Sequence, residues 1–229
     1  MSQSRMHDLS EPLSPSDEIP VEIGRGAGGV AKRLLDVAIA GLALVALAPL
    51  FAVVALLVAR TGPGPVLFRQ TRIGQGRRPF TILKFRTMVP DNDDAAHRNF
   101  VAGQLRRTPG IDPDMILDDA RITPLGARLR RTSIDELPQL LNVLRGQMSL
   151  VGPRPCLPWE VSMFEPGDHR RFEVRPGLTG LWQVSGRNDL SMREALDLDV
   201  QYVDRRSTRL DVWILLRTIP VVFRCRGAR

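Results

Sequence analysis

The sequence predicts an α+β fold that is mostly helical, in which a membrane re-entrant helix-break-helix precedes a cytosolic domain with a small β-hairpin and a surface amphipathic helix. Three observations support this fold class. An uncharged apolar run extends from residue 37 to residue 59, two strand-like runs flank a glycine turn, and apolar residues recur with a helical period near residue 140. We divide the 229 residues into a disordered N-terminal tail (1–30), a re-entrant membrane helix (31–60), one domain with its own core (61–223) and a C-terminal tail (224–229).

Charge and cysteine content narrow the class of protein. The formal net charge is +7, which suits binding to nucleic acid, anionic lipid or a phosphorylated substrate. A single Tyr is present, and the arginines are spread among apolar runs rather than placed beside stacking aromatic rings, so we expect no nucleic-acid partner. Cys156 and Cys225 form no CxxC pair, which predicts free thiols in a reducing compartment and no zinc site.

The first 30 residues are rich in Ser, Pro, Gly and acidic side chains and show no apolar period. Such a composition predicts a disordered tail, because it offers little apolar surface to bury. The tail is also too polar for a signal peptide, and the first apolar segment begins too late for one. We therefore expect that the protein is not exported.

The apolar run at residues 37–59 is about 23 residues long, which is enough to cross a bilayer. The alternative is a buried core helix. Soluble helices, however, are rarely apolar on every face over that length. We therefore expect this run to insert into lipid.

Pro49 divides the run near its middle and predicts a membrane break, because proline lacks the N–H that a continuous helix needs. Basic residues flank both ends, with Lys32 and Arg33 before the run and Arg60 after it. Two basic ends favour a segment that enters and leaves on the same side. Asp36 is expected to lie at the membrane interface and to pair with Lys32 and Arg33.

The next segment predicts a β-hairpin, with strand-like runs at 66–73 and 79–88 around glycines 74 and 76. On a strand, Lys84 and Arg86 would share one face while the apolar residues between them pack beneath. A solvated basic face is the simpler interpretation, and a phosphate-binding face is the functional one. Residues 91–120 are acidic without regular ligand spacing, so we expect a surface excursion rather than a calcium loop.

The most informative stretch is residues 131–155. Its helical apolar face ends at Gly146, where a left-handed cap is expected, and is formed by Leu137, Leu140, Leu141 and Leu144. Asp135 and Glu136 would lie at the helix N-terminus, with Asp135 as N-cap and Pro138 at the third helical position. An aspartate before a helix is most often only a cap. The alternative is a phosphate site with a carboxylate held beside the phosphorus.

The surroundings favour the phosphate site. The residues just upstream include Arg128, Arg130 and Arg131, and the triplet Pro153, Arg154 and Pro155 follows a short strand-like run at 148–151. A carboxylate that only caps a helix does not need neighbouring arginines. A phosphoryl group does, because its negative charge must be neutralised before an anionic nucleophile can approach.

The C-terminal third contains a glycine-punctuated loop between Arg175 and Arg187, which includes Trp182 and Gln183. Such loops are usually turns, but the flanking arginines indicate backbone N–H groups that approach phosphate or nucleotide. Residues 191–194 form a capping box that opens a helix reaching about residue 203. Residues 210–223 predict a last apolar helix, which suits either the membrane surface or the core.

The whole segment at 131–155, RTSIDELPQLLNVLRGQMSLVGPRP, resembles the core of the bacterial sugar transferases, the monotopic polyprenyl-phosphate phosphoglycosyl transferases. The Lys-Phe-Arg-Thr-Met sequence at 84–88 is similar to a motif at that family's active site. The loop at 175–187 resembles a second signature, typical of members that transfer a hexose phosphate. The likeness covers about residues 30–223.

The resemblance implies an enzyme that transfers a sugar 1-phosphate, of galactose or glucose, from a UDP-sugar to undecaprenyl phosphate, releases UMP and starts exopolysaccharide synthesis. Asp135 would attack the sugar-bearing phosphorus to form an aspartyl phosphosugar, and Glu136 would orient groups or handle protons. Mg²⁺ is the implied cofactor, with Asp135 touching the metal, because pyrophosphate and a carboxylate repel each other unshielded. The implied substrate-phosphate contacts are Lys84, Arg86, Arg130, Pro153, Arg154, Pro155, Arg175, Gln183 and Arg187.

The resemblance also implies that residues 61–223 form the catalytic domain, on the cytoplasmic face of the bacterial inner membrane, with inner-membrane lipid as a further partner. Two alternatives stay open at this point. One is the same chemistry with an N-acetylated amino sugar, and the other is a non-catalytic basic membrane adaptor. A homo-oligomer is also left open, as is the glycan that is made.

Overall fold

The computed structural model describes residues 27–89, Gly103, 121–186 and 190–223. Within these residues the fold is α+β and mostly helical, as predicted. The helices are α1 (Ala27–Ala46), α2 (Ala48–Ala59), α3 (Pro124–Arg131), α4 (Gln139–Leu144), α5 (Pro158–Val161), α6 (Leu181–Ser185), α7 (Met192–Arg205) and α8 (Thr208–Phe223). The strands are β1 (Leu67–Ile73), β2 (Pro79–Phe85), β3 (Ser149–Val151) and β4 (Gly177–Thr179), and 3₁₀ turns occur at Gln75–Arg77, Ile134–Glu136 and Pro166–Glu173.

Helices α1 and α2 form a pair bent by 63° at Leu47. Pro49 lies in the first turn of α2, so the helix break falls where the proline predicted it. Among the described residues no single helix is long and apolar enough to cross a membrane, although the bent pair passes that test together. Helix α1 begins at Ala27, so the last residues assigned to the disordered tail are helical. The rest of that tail, like the acidic excursion, lies outside the described residues apart from Gly103.

Polar side chains of helix α1 anchor it to the rest of the domain. Lys32 pairs with Asp211 of α8 at 2.6 Å, Arg33 donates to the carbonyl of Leu144, and the buried carboxylate of Asp36 accepts the backbone N–H of Leu150 at 3.1 Å. The predicted pairing of Asp36 with Lys32 and Arg33 is therefore wrong. The real partners lie more than one hundred residues away in sequence, which local charge spacing does not reveal.

Strands β1 and β2 form the predicted antiparallel hairpin, in which Phe68 faces Lys84 and Arg72 faces Phe80. At the end of β2, Phe85 packs on α2 and α3 in a cluster with Val54, Val58 and Leu129. This cluster joins the bent helix pair to the hairpin and so fixes where the chain leaves α2. The hairpin itself connects to α4 through Asn142, whose amide accepts from the N–H of Leu83 and donates to the carbonyl of Thr81.

The main core lies between α1, α4, the short parallel sheet β3–β4 and α8. The buried positions of α4 are Gln139, Leu140, Asn142 and Val143, whereas Leu144 is exposed. The predicted apolar face of this helix is thus rotated from the observed one, because the buried Asn142 amide must face β2. Gly146 has a φ of 79°, so the left-handed helix end is as predicted.

Helices α7 and α8 close the C-terminal side. Ser191 and Glu194 form the predicted capping box at the start of α7. Helix α8 packs in the core on one side, as one of the two predicted alternatives required. Its inner face buries Ile214 and Asp211, while its outer face exposes apolar side chains, namely Val212, Trp213, Leu216 and Ile219.

Candidate active site

Asp135 lies in the 3₁₀ turn Ile134–Glu136, between α3 and α4. The turn follows Ser133, whose φ of 56° is a left-handed conformation that few residues other than glycine adopt. The α-helix begins only at Gln139, with Pro138 at the capping position and no side-chain cap. The prediction that Asp135 is the N-cap of this helix is therefore wrong, and capping does not explain why an acid stands there.

The Asp135 carboxyl is nearly enclosed, with 6% of the residue exposed. Burial raises its pKa to about 6, the charge of Glu136 also raises it, and Lys84 and Arg130 work in the opposite direction. Lys84 forms an ion pair with Glu136 at 2.6 Å. At neutral pH the group is thus an ionised carboxylate that is poorly solvated, which is the state that a nucleophile requires.

An open cleft of about 300 Å³ lies beside this turn. Of the predicted site residues, it brings together Lys84, Glu136, Arg154, Pro155 and Gln183, and it adds Arg72, Ile82, Gln139, Gly177 and Leu178. Asp135 does not line the cleft but is the neighbour in sequence of Glu136, which does. The wall is predominantly basic, so it suits an anion.

Two arginines of the cleft repel each other. Burial and, to a smaller extent, the charge of Arg154 lower the pKa of Arg72 to about 10. Arg72 donates to the carbonyl of Pro155 and to the side chain of Gln70, while Arg154 is exposed and stacks over the Trp182 ring at 5.7 Å. Like charges held this close favour binding of a phosphate between them, because its negative charge offsets their repulsion.

Arg86 has a different environment from Lys84. It follows the end of β2, is 8% exposed, and donates to the carbonyls of Val58, Gly62 and Pro63 at distances between 2.8 and 3.0 Å. These acceptors are at the end of α2 and in the loop after it. Arg86 therefore ties the exit of the bent pair to the hairpin, and it does not line the cleft. Its predicted contact with phosphate stays a prediction.

The remaining predicted site residues are dispersed. Arg130 lies near Asp135, and Pro153 lines a second small cavity beside Arg154. Arg175 is half-buried beside α1, where burial and then Arg33 lower its pKa, and it does not line the cleft. Arg187 lies outside the described residues.

Sequence comparison identifies the family. The profile described as "Bacterial sugar transferase" matches residues 27–225, most of the chain. The chain belongs to this family.

The sequences of several named relatives align with most of this chain. The chain is 42% identical over 212 residues to "Exopolysaccharide production protein ExoY" of Sinorhizobium fredii, covering 92% of this chain and 94% of the relative. It is 40% identical to "UDP-glucose:undecaprenyl-phosphate glucose-1-phosphate transferase" of Caulobacter vibrioides, covering 93% and 82%. It is 36% identical to "Undecaprenyl-phosphate galactose phosphotransferase" of Salmonella typhimurium, covering 86% of this chain but 41% of that longer relative.

Sequence reasoning missed two cleft residues of this sugar transferase that have polar side chains, Arg72 and Gln139. A signal for Arg72 existed in the hairpin, because cross-strand register places Arg72 and Lys84 on the same face. The predicted strand instead placed Lys84 on one face with Arg86, two residues further along. Gln139 is 2% exposed and gave no signal, since a glutamine in a first helical turn is ordinary.

The acids beside the cleft, Asp135 and Glu136, could bind a divalent cation only as part of a site shared with substrate. No cluster of three metal-ligating side chains occurs within the described residues. Glu136 is held by Lys84, which leaves the Asp135 carboxylate as the nearby protein oxygen donor. Mg²⁺ commonly binds one or two carboxylates together with substrate phosphates rather than a complete protein cage. Asp135 suits such a shared site.

Proposed function

We propose that this chain is a polyprenyl-phosphate sugar-1-phosphate transferase that uses a UDP-sugar donor and starts exopolysaccharide synthesis. Membership of the bacterial sugar transferase family and the names of its relatives support this class of reaction. The observation that carries the mechanism is the buried Asp135 carboxylate beside a cleft lined by Arg72, Lys84 and Arg154.

The proposed reaction has two displacements at one phosphorus. In the first, a carboxylate oxygen of Asp135 attacks the phosphorus that carries the sugar, and the bond to the bridging oxygen breaks, so UMP leaves with that oxygen. In the second, an oxygen of the polyprenyl phosphate attacks the same phosphorus, and Asp135 leaves as a carboxylate. The product is a polyprenyl diphosphate sugar, and the enzyme is regenerated without a net change in charge.

The charged side chains of the cleft support the first displacement, in which two anionic groups must approach each other. A pyrophosphate donor brings negative charge that Arg72 and Arg154 can neutralise, which lowers the barrier for an anionic nucleophile. Lys84 forms an ion pair with Glu136, and its charge stabilises the ionised form of Asp135. Gln183 also lines the cleft, and its amide oxygen is buried without a hydrogen-bond partner among the described residues, so it is available to a sugar or phosphate hydroxyl.

We assign Mg²⁺ to Asp135 together with substrate phosphate oxygens, where it would shield the negative charge of the pyrophosphate. Glu136 is assigned a positioning task, because its ion pair holds the Lys84 ammonium in place. These assignments rest on the donor set described above.

The bent pair α1–α2 is proposed to be the re-entrant membrane segment, with residues 61–223 as the catalytic domain on the cytoplasmic face of the bacterial inner membrane. The apolar side chains exposed on α1, α2 and α8 support contact with lipid. The basic residues Lys32 and Arg60 at the two ends support a common side. Such an arrangement would bring the cleft to the leaflet that holds the lipid substrate.

The reaction is tested with the full chain in membrane vesicles and a panel of UDP-glucose, UDP-galactose and UDP-N-acetylated sugars. We expect Mg²⁺-dependent UMP release and, without lipid acceptor, a phosphosugar adduct on the peptide that contains Asp135, read by mass spectrometry. Asp135→Asn should give neither. UMP release without any adduct would contradict the covalent mechanism, and absence of UMP release from every donor would contradict the transferase.

The topology is tested with single cysteines near residues 28 and 62 in a chain whose two native cysteines are replaced by serine. Both sites should be protected from an impermeant thiol reagent in intact cells, and Pro49→Leu should expose the first site in some molecules because it straightens the helix pair. Labelling of the first site in the protein with Pro49 intact would show that the segment spans.

A further inference from the structure

The carbonyl of Val151 accepts hydrogen bonds from two separate helices. Lys32 of α1 donates from Nζ at 3.3 Å, and the hydroxyl of Tyr202 in α7 lies at 3.2 Å. Val151 is the last residue of β3, so this carbonyl is the point at which the strand ends and the Pro153-Arg154-Pro155 triplet approaches. Lys32 therefore holds this point in addition to strand pairing, whereas the single hydroxyl proton of Tyr202 is shared between this carbonyl and the nearer carboxylate of Asp211 at 2.7 Å.

Asp211 of α8 holds both donors in place. Its two carboxylate oxygens accept from Lys32 at 2.6 Å and from the Tyr202 hydroxyl at 2.7 Å. Tyr202 is 2% exposed and Asp211 is 7% exposed. Burial and the neighbouring Asp211 charge raise the pKa of Tyr202 well above its ordinary value, so the hydroxyl keeps its proton. The cluster of Lys32, Tyr202 and Asp211 thus joins three helices around one backbone oxygen, and we refer to it as the Val151 clamp.

The far end of the same segment is held as well. The carbonyl of Arg154 accepts from buried Arg171 at 2.6 Å, and that of Pro155 accepts from Arg72 at 3.3 Å. Arg154 is the exposed residue of this braced segment, and its guanidinium lies over Trp182 at the cleft. Gly152 separates Val151 from Pro153, but its N–H donates to the carbonyl of Thr179 at 3.0 Å, and the carbonyl of Pro153 accepts from the N–H of Gly177 at 2.8 Å. With prolines on both sides of Arg154 as well, the backbone has few ways to absorb a shift. A displacement of Val151 therefore displaces Arg154.

We propose that the Val151 clamp positions Arg154 for the donor phosphates, and that Lys32 thereby links the seating of the membrane helix α1 to substrate affinity. The inference rests on the proposed function in one respect, namely that Arg154 contacts phosphate. None of the three clamp residues touches substrate in this scheme. Each acts through the backbone of residues 151–154.

The test measures the Kd for UDP and the steady-state KM and kcat for the UDP-sugar, using the full chain in lipid nanodiscs. Tyr202→Phe removes one oxygen atom and keeps the ring, so it is the main variant. We expect Tyr202→Phe and Lys32→Met each to raise the Kd and KM about tenfold, while kcat changes less than about threefold. Lys32→Arg keeps a cation and should stay within about twofold of the unmodified chain.

A double-mutant cycle separates positioning from general damage. In an Arg154→Ala background, Tyr202→Phe should produce no further rise in Kd, because the residue through which it acts is gone. The matched control is Arg193→Met, which breaks another ion pair between α7 and a neighbouring segment, with Asp168, and which should lower the Tm without changing the Kd. A Kd for Tyr202→Phe equal to that of the unmodified chain, additive effects in the cycle, or an equal effect of Arg193→Met would each overturn the proposal.

Failure of the proposed function gives a different pattern. If no UDP-sugar releases UMP but UDP binding shows the predicted cycle, the transferase assignment fails and the positioning role stands. If UMP is released but UDP binding does not respond to the clamp variants, the transferase stands and the positioning role is wrong. A chain that does not bind UDP at all would overturn the positioning role.

Discussion

Replacing Asp135 by Asn should abolish turnover and yet stabilise the protein at alkaline pH. An unfolded aspartate has a pKa near 3.8, and burial raises that of Asp135 to about 6. Between these values the folded state binds more protons than the unfolded state, so the contribution of Asp135 to stability falls as pH rises through this window and is constant above it. A shift of roughly two pH units corresponds to about 3 kcal/mol.

Asparagine has nearly the same shape as aspartate but does not ionise, so the side chain at position 135 of the variant stays neutral at every pH. At pH 4.5 the variant should be more stable by only about 1 kcal/mol, because the Asp135 carboxyl is still mostly protonated in the folded protein, although the unfolded carboxyl is already mostly ionised. At pH 8 the variant should be more stable by up to about 3 kcal/mol, a rise in Tm of about 6–10 °C for a chain of this size. UMP release should be lost at every pH.

The assay is thermal unfolding of both proteins in the same detergent at pH 4.5 and pH 8, with UMP release measured in parallel. Asp199→Asn is the control, since burial also raises the pKa of Asp199 to about 6 but its carboxylate pairs with buried Arg171 at 2.7 Å. The same proton linkage applies to Asp199, so its Asn variant should also gain stability relative to the unmodified chain between pH 4.5 and pH 8, but it should retain UMP release. Equal Tm changes for Asp135→Asn at both pH values would refute the burial argument, and substantial residual activity would refute the nucleophile assignment.

Three other variants test separate parts of the structure. Arg86→Met should cost about 3 kcal/mol of stability, measured by Tm, because buried carbonyls at the end of α2 lose a charged donor; an unchanged Tm would contradict its structural role. Gly126→Ala should lower the Tm and the yield, because its Cβ would lie 2.0 Å from the carbonyl oxygen of Thr87, whereas Gly41→Ala, with no atom within 4 Å, should be tolerated. Removal of residues 1–26 should leave membrane attachment and UMP release nearly unchanged, and loss of activity in a folded truncation would show otherwise.

Features set by local chemistry were predictable from the sequence. The break at Pro49, the glycine turn of the hairpin, the left-handed Gly146 and the capping box at Ser191 each depend on residues only a few positions apart. In all four cases a backbone constraint or a short hydrogen bond decides the conformation before any tertiary contact forms. Sequence patterns report such constraints directly.

Features set by long-range pairing were not predictable. Asp36 was assigned to basic neighbours on its own helix, but its carboxylate accepts the N–H of Leu150. Arg86 was assigned to phosphate, but three carbonyls around the end of α2 surround it. A buried polar group must find a partner wherever the fold provides one, and that choice depends on the packing of the whole domain. Arg72 shows the same limit, because its place in the cleft depends on strand register.

In the proposed mechanism, the arrangement around Asp135 reconciles two requirements that conflict. A nucleophile must be anionic, but an anion that approaches a pyrophosphate is repelled, and an anion that is buried is destabilised. Lys84 moderates both effects, since it favours the ionised form of Asp135 while its ion pair with Glu136 keeps it near the cleft. Arg72 and Arg154 then supply the charge that the incoming phosphates need. The charge of Arg154 lowers the pKa of Arg72 in the free protein, and an anion bound between the two arginines would offset that repulsion, which favours binding of the donor phosphates.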